Sequence, residues 1–189
     1  MARFQKQKLL KMKSNILGKE FFDRPVLDVA QEMLGVSLCT TNTDGQISRM
    51  TVNETEAYDG EDDLACHASK GRTSRNEVMY GSAGVIYLYL CYGIHWLLNI
   101  VCREKGYPAA VLLRGTVEIS GPGRITKRLG IDGSLNRKKA SFNNGLWFEK
   151  NEFKRIDIQK GPRIGVDYAG KYWAEKPYRF WFSKPESGA

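Results

Sequence analysis

Short apolar segments separated by turn signals, rather than long helical repeats, constrain the fold of this chain most strongly. Residues 36–41 and 46–54 are predicted to be strands, and the Asp44-Gly45 pair between them is typical of a hairpin turn. Residues 85–90 and 96–102 predict a second hairpin. Because hairpins outnumber strand–helix–strand units, we predict an α+β domain with a curved, mainly antiparallel β-sheet and surrounding helices.

Two helices are indicated by spacing and by boundary residues. Pro25 suits a first helical turn, apolar residues recur at helical spacing over residues 26–34, and Gly35 can end the helix. The basic segment 121–130 begins with Gly-Pro and predicts a second helix start. These short helices fit a sheet-dominated domain.

The other segments carry weaker patterns. Residues 109–114 and 178–182 predict two further short strands. Residues 59–76 are polar and contain glycine, so we predict a long surface loop. Residues 132–151 are the least patterned part of the chain.

The length and charge of the chain limit its class. A chain of 189 residues fits one domain, which we place at residues 20–189, preceded by a basic and flexible arm at residues 1–19. The net charge of +8 and the pI near 9.3 imply an anionic partner, either nucleic acid or an acidic membrane surface. No apolar run of about 18 residues predicts a membrane-spanning helix, and no apolar signal segment is present.

The metal-binding signals are sparse. The four cysteines, at positions 39, 66, 91 and 102, lack the paired spacing of a structural zinc site, so we expect reduced thiols. One alternative uses the acidic residues 59–63 with His67, whose side chains could hold a hard divalent cation. Solvated charges on a loop are the more common outcome.

The segment Glu54-Thr55-Glu56-Ala57-Tyr58 carries the chemistry. Side chains two residues apart on a strand point the same way, so Glu54 and Glu56 share a face. A carboxylate facing a pocket can take a proton from an attacking water, and Arg114 could keep it ionised. The structural alternative is a pair of exposed edge-strand glutamates.

Aromatic residues suggest what the pocket would bind. Tyr87 and Tyr89 should share one strand face, where their rings could stack on an unpaired base. Tyr92 precedes a glycine at a predicted turn and could wedge into a duplex. Ordinary core packing is the structural alternative for strand tyrosines, and a satisfied structural role is the alternative for His67.

In their order along most of the chain, these motifs resemble those of the alkyladenine (3-methyladenine) DNA glycosylases. The matching pieces are Glu20-Phe21-Phe22-Asp23, Leu34-Gly35, residues 54–58, His67, Arg75-Asn76, residues 87–93, Asn99-Ile100, Leu112-Leu113-Arg114, Gly121-Pro122, Arg163-Ile164-Gly165-Val166 and residues 176–180. Residues 1–19 and 132–151 carry no such match, and His95, just past the turn, is a departure from the family's pattern.

The resemblance implies base excision from damaged DNA. Glu56 would be the general base that activates water, and Arg114 its partner. The implied substrates are alkylated or deaminated purines of the 3-methyladenine, 7-methylguanine, hypoxanthine and ethenoadenine class, in double-stranded DNA. No cofactor or metal is implied, and no lysine stands in these motifs as a Schiff-base nucleophile, so we expect a monofunctional hydrolase without lyase activity.

The resemblance also assigns the pocket. Tyr58, His67 and Tyr89 would sandwich and hydrogen-bond the flipped base, Asn99 would crowd the 2-amino group of guanine, and Tyr92 would fill the vacated stack. A monomer without membrane association is expected, in the cytoplasm or nucleoid of a prokaryote or the nucleus of a eukaryote. Two other hypotheses stay open at this point: a non-catalytic, basic nucleic-acid-binding protein, and a metal-dependent nuclease that uses the loop at residues 59–63.

Overall fold

A curled, antiparallel half-barrel sheet organises the protein, whose computed structural model describes residues 15–151 and 157–183. Neighbouring strands follow the order β3-β4-β5-β2-β1-β6, and β8 pairs with both β2 and β7. The strands are β1 (Ser37–Thr41), β2 (Ile47–Asp59), β3 (Ile86–Cys91), β4 (His95–Val101), β5 (Ala109–Thr116), β6 (Leu146–Glu149), β7 (Gln159–Gly161) and β8 (Arg179–Trp181). The predicted α+β domain with a curved antiparallel sheet is confirmed.

Four α-helices surround the sheet within the described residues: α1 (Lys19–Phe22), α2 (Val26–Glu32), α3 (Pro122–Leu129) and α4 (Gly170–Ala174). Helix α2 begins directly after Pro25, and Gly35 lies beyond its end with φ +84°, a conformation that glycine adopts without steric cost. Helix α3 has proline at its first position and ends at Gly130, which is left-handed. Both predicted helices are confirmed.

The main core lies between α2 and the concave sheet. Val26, Val29 and Met33 are almost fully buried on one face of α2. Burying a side chain of this size contributes roughly 1.5–3 kcal/mol, so this face fixes the helix on the sheet. The hydroxyl of Thr55 on β2 donates to the carbonyl of Ala30 at 2.8 Å, which joins the helix to the strand that carries the site.

The hairpin predictions are confirmed, with one change of length. Strands β1 and β2 are antiparallel and turn through Gly45, which has φ +76°. Strand β2 continues to Asp59, five residues beyond the predicted end at position 54, because it pairs with β5 over this whole length. Glu56 and Tyr58 therefore lie on a regular strand. The strands predicted at residues 109–114 and 178–182 are β5 and β8.

One prediction needs correction, and one stretch for which no element was predicted contains a strand. The segment at residues 59–76 is irregular, yet Asp63, Cys66 and Ala68 within it are buried, so it is a packed loop and not simply a surface loop. The unpatterned stretch at residues 132–151 contains β6, which pairs with β1 and buries Trp147 completely.

Most of the predicted N-terminal arm, residues 1–14, lies outside the described residues, so that arm stays a prediction. Across residues 15–151 and 157–183, the helices are too short or too polar for any one of them to span a bilayer.

Candidate active site

A cavity of about 520 Å³ opens over one face of β2, β3, β4 and β5. Ligand pockets usually measure roughly 300–1,000 Å³, so this one can hold a small planar group. Six of the seven side chains predicted for the site line it: Tyr58, His67, Tyr89, Tyr92, Asn99 and Arg114. The seventh, Glu56, lies directly behind the wall.

Strand pairing explains why these side chains converge. Tyr87 and Tyr89 point to the same face of β3, and their ring centroids lie 5.7 Å apart. Asn99 on β4 is paired with Tyr87 on one side and with Leu112 of β5 on the other. The alternation of side chains along three adjacent strands therefore brings all of these residues to one wall, as the sequence predicted for the two tyrosines.

Glu56 is buried and fully engaged by donors. None of its side chain is exposed to solvent. One carboxylate oxygen accepts a hydrogen bond from the Tyr58 hydroxyl at 2.8 Å, and the other accepts from the backbone amide of Ile164 at 2.8 Å. A guanidinium nitrogen of Arg114 lies 3.4 Å from the second oxygen. All three of these neighbours line the cavity.

Burial and charge act against each other at Glu56. Loss of solvent raises the pKa of this carboxyl above its ordinary value, and Arg114 is the largest of the influences that lower it again. The hydrogen bonds from Ile164 and Tyr58 lower the pKa further, as does the more distant Arg163. The net result is a raised pKa, which makes the carboxylate a stronger base than a solvated glutamate.

His67 is held in the cavity wall by two tyrosines. Its Nδ1 lies 2.8 Å from the Tyr87 hydroxyl, and its ring stands edge-to-face with Tyr89 at 4.5 Å. Burial, and to a smaller extent the positive charge of Arg75, lower the pKa of His67 to about 4. The imidazole is therefore neutral at pH 7, with one ring nitrogen engaged by Tyr87.

Tyr58 rests on a buried ion pair. Its ring covers the guanidinium of Arg163 at 4.8 Å, and Arg163 pairs with Asp63, both side chains being fully buried. Arg163 also donates to the backbone carbonyl of Ala57 at 2.9 Å. Burial raises the pKa of Tyr58 and of Tyr89, so both phenols stay protonated and can donate hydrogen bonds.

Asn99 is fixed in orientation by its own hairpin. Its side-chain nitrogen donates to the backbone carbonyls of Tyr87 and Leu97, each at 3.3 Å. The side chain is 3% exposed and lines the cavity. A group placed against this wall would meet a rigid amide.

Tyr92 projects from the tip of the β3–β4 hairpin. It is 92% exposed, and its φ of +51° puts it in the left-handed region that non-glycine residues rarely adopt. Gly93 follows with φ +73°, and Ile94 is 71% exposed. His95 is exposed as well and packs against Gly123 of α3, where an added Cβ would lie 3.0 Å from the Cβ of His95. The tip thus presents apolar surface at the rim of the cavity.

The proposed cation site in the acidic loop is not assembled. Asp63 is turned inward to Arg163, Glu61 accepts from the Tyr80 hydroxyl at 2.6 Å, and His67 faces Tyr87. Within residues 15–151 and 157–183, no three His, Cys, Asp or Glu side chains form a group able to hold a metal ion. The alternative of a cation site in this loop finds no support in this part of the chain, because Asp63 and Glu61 have partners within the protein.

Several contributors to the site carry no pattern of their own in the sequence. Ile164 supplies the amide that binds Glu56, and the exposed Tyr168 lines the cavity while its hydroxyl donates to Ala65 at 3.0 Å. Arg75 lies over the Tyr89 ring at 5.8 Å. Ile164 belongs to a segment noted for its resemblance to a family, and that was the only signal for it.

Comparison with known proteins identifies close relatives. The family model described as methylpurine-DNA glycosylase matches residues 20–120 and 116–186. A protein of Myxococcus xanthus is 43% identical over 176 residues, covering 88% of this chain and 90% of its own length. A protein of Methanocella arvoryzae is 40% identical over 186 residues, covering 88% and 92%. A third, from Legionella pneumophila strain Corby, is 39% identical over 173 residues, covering 87% and 93%. Each carries the name "Putative 3-methyladenine DNA glycosylase".

Proposed function

The chain belongs to the methylpurine-DNA glycosylase family, and from this premise we propose that it removes alkylated or deaminated purines from DNA by hydrolysis. The substrate class is 3-methyladenine, 7-methylguanine, hypoxanthine and ethenoadenine in duplex DNA. The observation that carries the proposal is a buried glutamate behind an aromatic cavity that opens beside an exposed hairpin tip.

The cavity suits a base that has left the helix. Tyr58, His67 and Tyr89 offer ring faces and edges, and stacking on an aromatic ring contributes about 1–3 kcal/mol per base. Extruding a nucleotide costs a few kcal/mol, and less when the base is damaged or poorly paired. Stacking in the cavity can offset that cost, and the electron-rich ring faces favour purines made cationic by alkylation.

Hydrolysis needs a base that can accept a proton from water. In the proposed reaction a water oxygen bonds to the anomeric carbon of the sugar, and the bond from that carbon to the purine breaks. The water proton passes to Glu56, and the bonding electrons leave with the base. Arg114, 3.4 Å from Glu56, keeps the carboxylate ionised despite its burial. An abasic site remains in an intact strand.

The departing base determines how much further help is required. A cationic purine leaves as a neutral molecule without acid assistance, whereas a neutral lesion must be hydrogen-bonded or protonated as it departs. His67 is neutral and can supply a hydrogen bond from its second ring nitrogen, while the rigid amide of Asn99 also lines the cavity. We propose that Asn99 disfavours guanine by crowding its 2-amino group.

The hairpin tip and the net charge of +8 both suit contact with duplex DNA. We propose that the exposed Tyr92 occupies the gap that the flipped nucleotide leaves in the stack. The described residues that line the cavity include no lysine, which supports direct hydrolysis over an imine intermediate that would cut the strand.

The test compares wild type with Glu56→Gln on duplexes that each carry one modified purine. The substitution keeps the shape of the side chain and removes the carboxylate that accepts the proton. Release of free purine in single turnover should therefore fall by about 10²–10⁴-fold, the usual contribution of a general base. Binding of the same duplexes should persist. Equal rates in the two proteins would remove Glu56 from its role, and absence of abasic sites with both would favour a non-catalytic DNA-binding protein.

A further inference from the structure

A second carboxylate stands on the other side of Arg114. The Nε of Arg114 lies 3.4 Å from Glu54, and another nitrogen of the same guanidinium lies 3.4 Å from Glu56. Arg179 donates to the same Glu54 oxygen at 3.0 Å and is itself fixed by a hydrogen bond to the carbonyl of Pro162 at 2.9 Å. Positive and negative groups therefore alternate in a row that ends at Glu56.

The backbone is irregular at the residues that form this row. Regular pairing of β2 with β5 shifts between Glu54 and Thr55, so that Glu54 is opposite Gly115, Thr55 is opposite Leu113, and Arg114 is the extra residue. Such bulges redirect side chains and are frequent beside active sites. A Cβ at Gly115 would lie 3.0 Å from the Cβ of Glu54, so the glycine leaves room for this arrangement.

Arg114 lies between Glu54 and Glu56, at 3.4 Å from each carboxylate. Its Nε is buried and makes no hydrogen bond with any of the residues that the structure describes, although an arginine beside a carboxylate usually forms two parallel hydrogen bonds with it. Both Glu56 oxygens already accept hydrogen bonds, from Tyr58 and Ile164. A guanidinium free to approach Glu56 would compete with those donors and occupy the space beside the carboxylate.

We propose that Glu54 is a positioning residue that draws Arg114 back from Glu56, which leaves room for the attacking water and keeps Glu56 basic. This inference rests on the proposed role of Glu56 as the general base. Glu54 has no contact with substrate in this mechanism and acts through Arg114 alone. Arg179 anchors Glu54 from the side away from the cavity.

The charged and titratable neighbours of Glu56 determine whether its pKa rises or falls when Glu54 is replaced. Among the described residues, the groups that interact electrostatically with Glu56 are Arg114, Tyr58, Arg163, Tyr89 and Tyr168. The two arginines favour the ionised carboxylate, and the three phenols remain protonated. Removing the negative charge of Glu54 leaves Arg114 more available to Glu56, so the pKa of Glu56 should fall.

The experiment measures single-turnover base release by Glu54→Gln from pH 5 to pH 9. We expect the plateau rate to fall by about 10-fold or more, because small misplacements in a site cost up to about 10²-fold. The acidic limb of the profile should move to lower pH by about half a unit or more, because an opposite charge nearby depresses the pKa of an acid. The variant would thus be slower yet more tolerant of acid. Affinity for the lesion duplex should stay within about twofold.

Glu104→Gln is the matched control, because it removes the same charge from a surface side chain that is 65% exposed and pairs only loosely with Arg103. Its rate and pH profile should match wild type. Wild-type behaviour of Glu54→Gln, while Glu56→Gln is inactive, would overturn the positioning role and leave the proposed function intact. A wild-type rate in Glu56→Gln would instead remove Glu56 from the role on which the proposed mechanism rests.

A folding defect is detected by thermal melting of each variant before kinetics. If Glu54→Gln does not fold, Glu54→Asp keeps the charge and shortens the reach to Arg114, so its plateau rate should still fall. A wild-type plateau in Glu54→Asp would then contradict the proposal. Arg179→Gln removes the hydrogen bond that anchors Glu54, so its plateau rate should also fall, but by less than that of Glu54→Gln. An unchanged plateau rate would count against the row of charges.

Discussion

Glu56 acquires its chemical character from residues that are far away in the sequence. The amide of Ile164 is 108 positions along the chain, whereas the Tyr58 hydroxyl is only two positions away. The alternation of a strand predicted that Glu54 and Glu56 share a face, and both do reach Arg114. The contact with Ile164 was beyond prediction from spacing, because it depends on where the segment before α4 packs.

His67 provides a pH-dependent test of its buried setting. Its pKa is about 4 in the folded protein and ordinarily 6.5, so between these values the unfolded chain binds a proton that the folded protein does not. Stability should therefore fall as the pH drops from 6.5 towards 4. In His67→Gln this contribution is missing.

We expect the stability advantage of wild type over His67→Gln to shrink by about 2 kcal/mol between pH 7 and pH 5. Urea denaturation of both proteins at the two pH values measures this difference. A constant difference would show that His67 titrates normally in the folded protein, contrary to the structure.

The β3–β4 hairpin shows how much one element could be predicted. Its strands and the turn at Tyr92 and Gly93 were evident from apolar residues and a glycine. Strand β6 was missed, because its four residues lie in a stretch rich in polar and basic side chains and its burial depends on pairing with β1. Local patterns therefore predict elements that are bounded by turns and miss a short strand whose order comes from its partner.

The strained turn predicts a conflict between stability and function. Tyr92→Asn should raise the free energy of unfolding by about 0.5–1 kcal/mol, because asparagine tolerates positive φ and little packing is lost. It should weaken binding to a lesion in a duplex more than to the same lesion in a single strand. Urea denaturation and fluorescence titration measure the two effects.

Tyr172→Asn is the control for this change, because Tyr172 is 70% exposed but lies in helix α4, outside the left-handed region. It should bring no gain in stability. An equal loss of affinity for duplex and single-stranded lesions in Tyr92→Asn would argue against a wedge.

In the whole molecule, the sheet places the cavity, the buried Glu56 and the hairpin tip beside one another. Strands β2 to β5 carry the side chains of the cavity wall, and the β3–β4 turn places Tyr92 at the rim of the cavity. The charge of +8 predicted an anionic partner from composition alone, and membership of a DNA glycosylase family agrees with nucleic acid as that partner. Composition could not locate the site, since that required the order of strands in the sheet.

Metal dependence separates this account from the nuclease hypothesis. Because Asp63 is paired with Arg163 and the loop gathers no ligand set among the described residues, base release should continue at the full rate in excess EDTA. The phosphodiester backbone should stay intact until alkali treatment, as followed on a denaturing gel. Loss of activity in EDTA with recovery on adding Mg²⁺ would support the nuclease instead.

We propose that the aromatic cavity receives a purine beside Glu56. A crystal structure of Glu56→Gln bound to a duplex with one hypoxanthine is the direct test. We expect the purine between Tyr58, His67 and Tyr89, with a water about 3–3.5 Å from the anomeric carbon of its sugar and in contact with residue 56. A hypoxanthine still stacked in the helix, over an empty cavity, would contradict it.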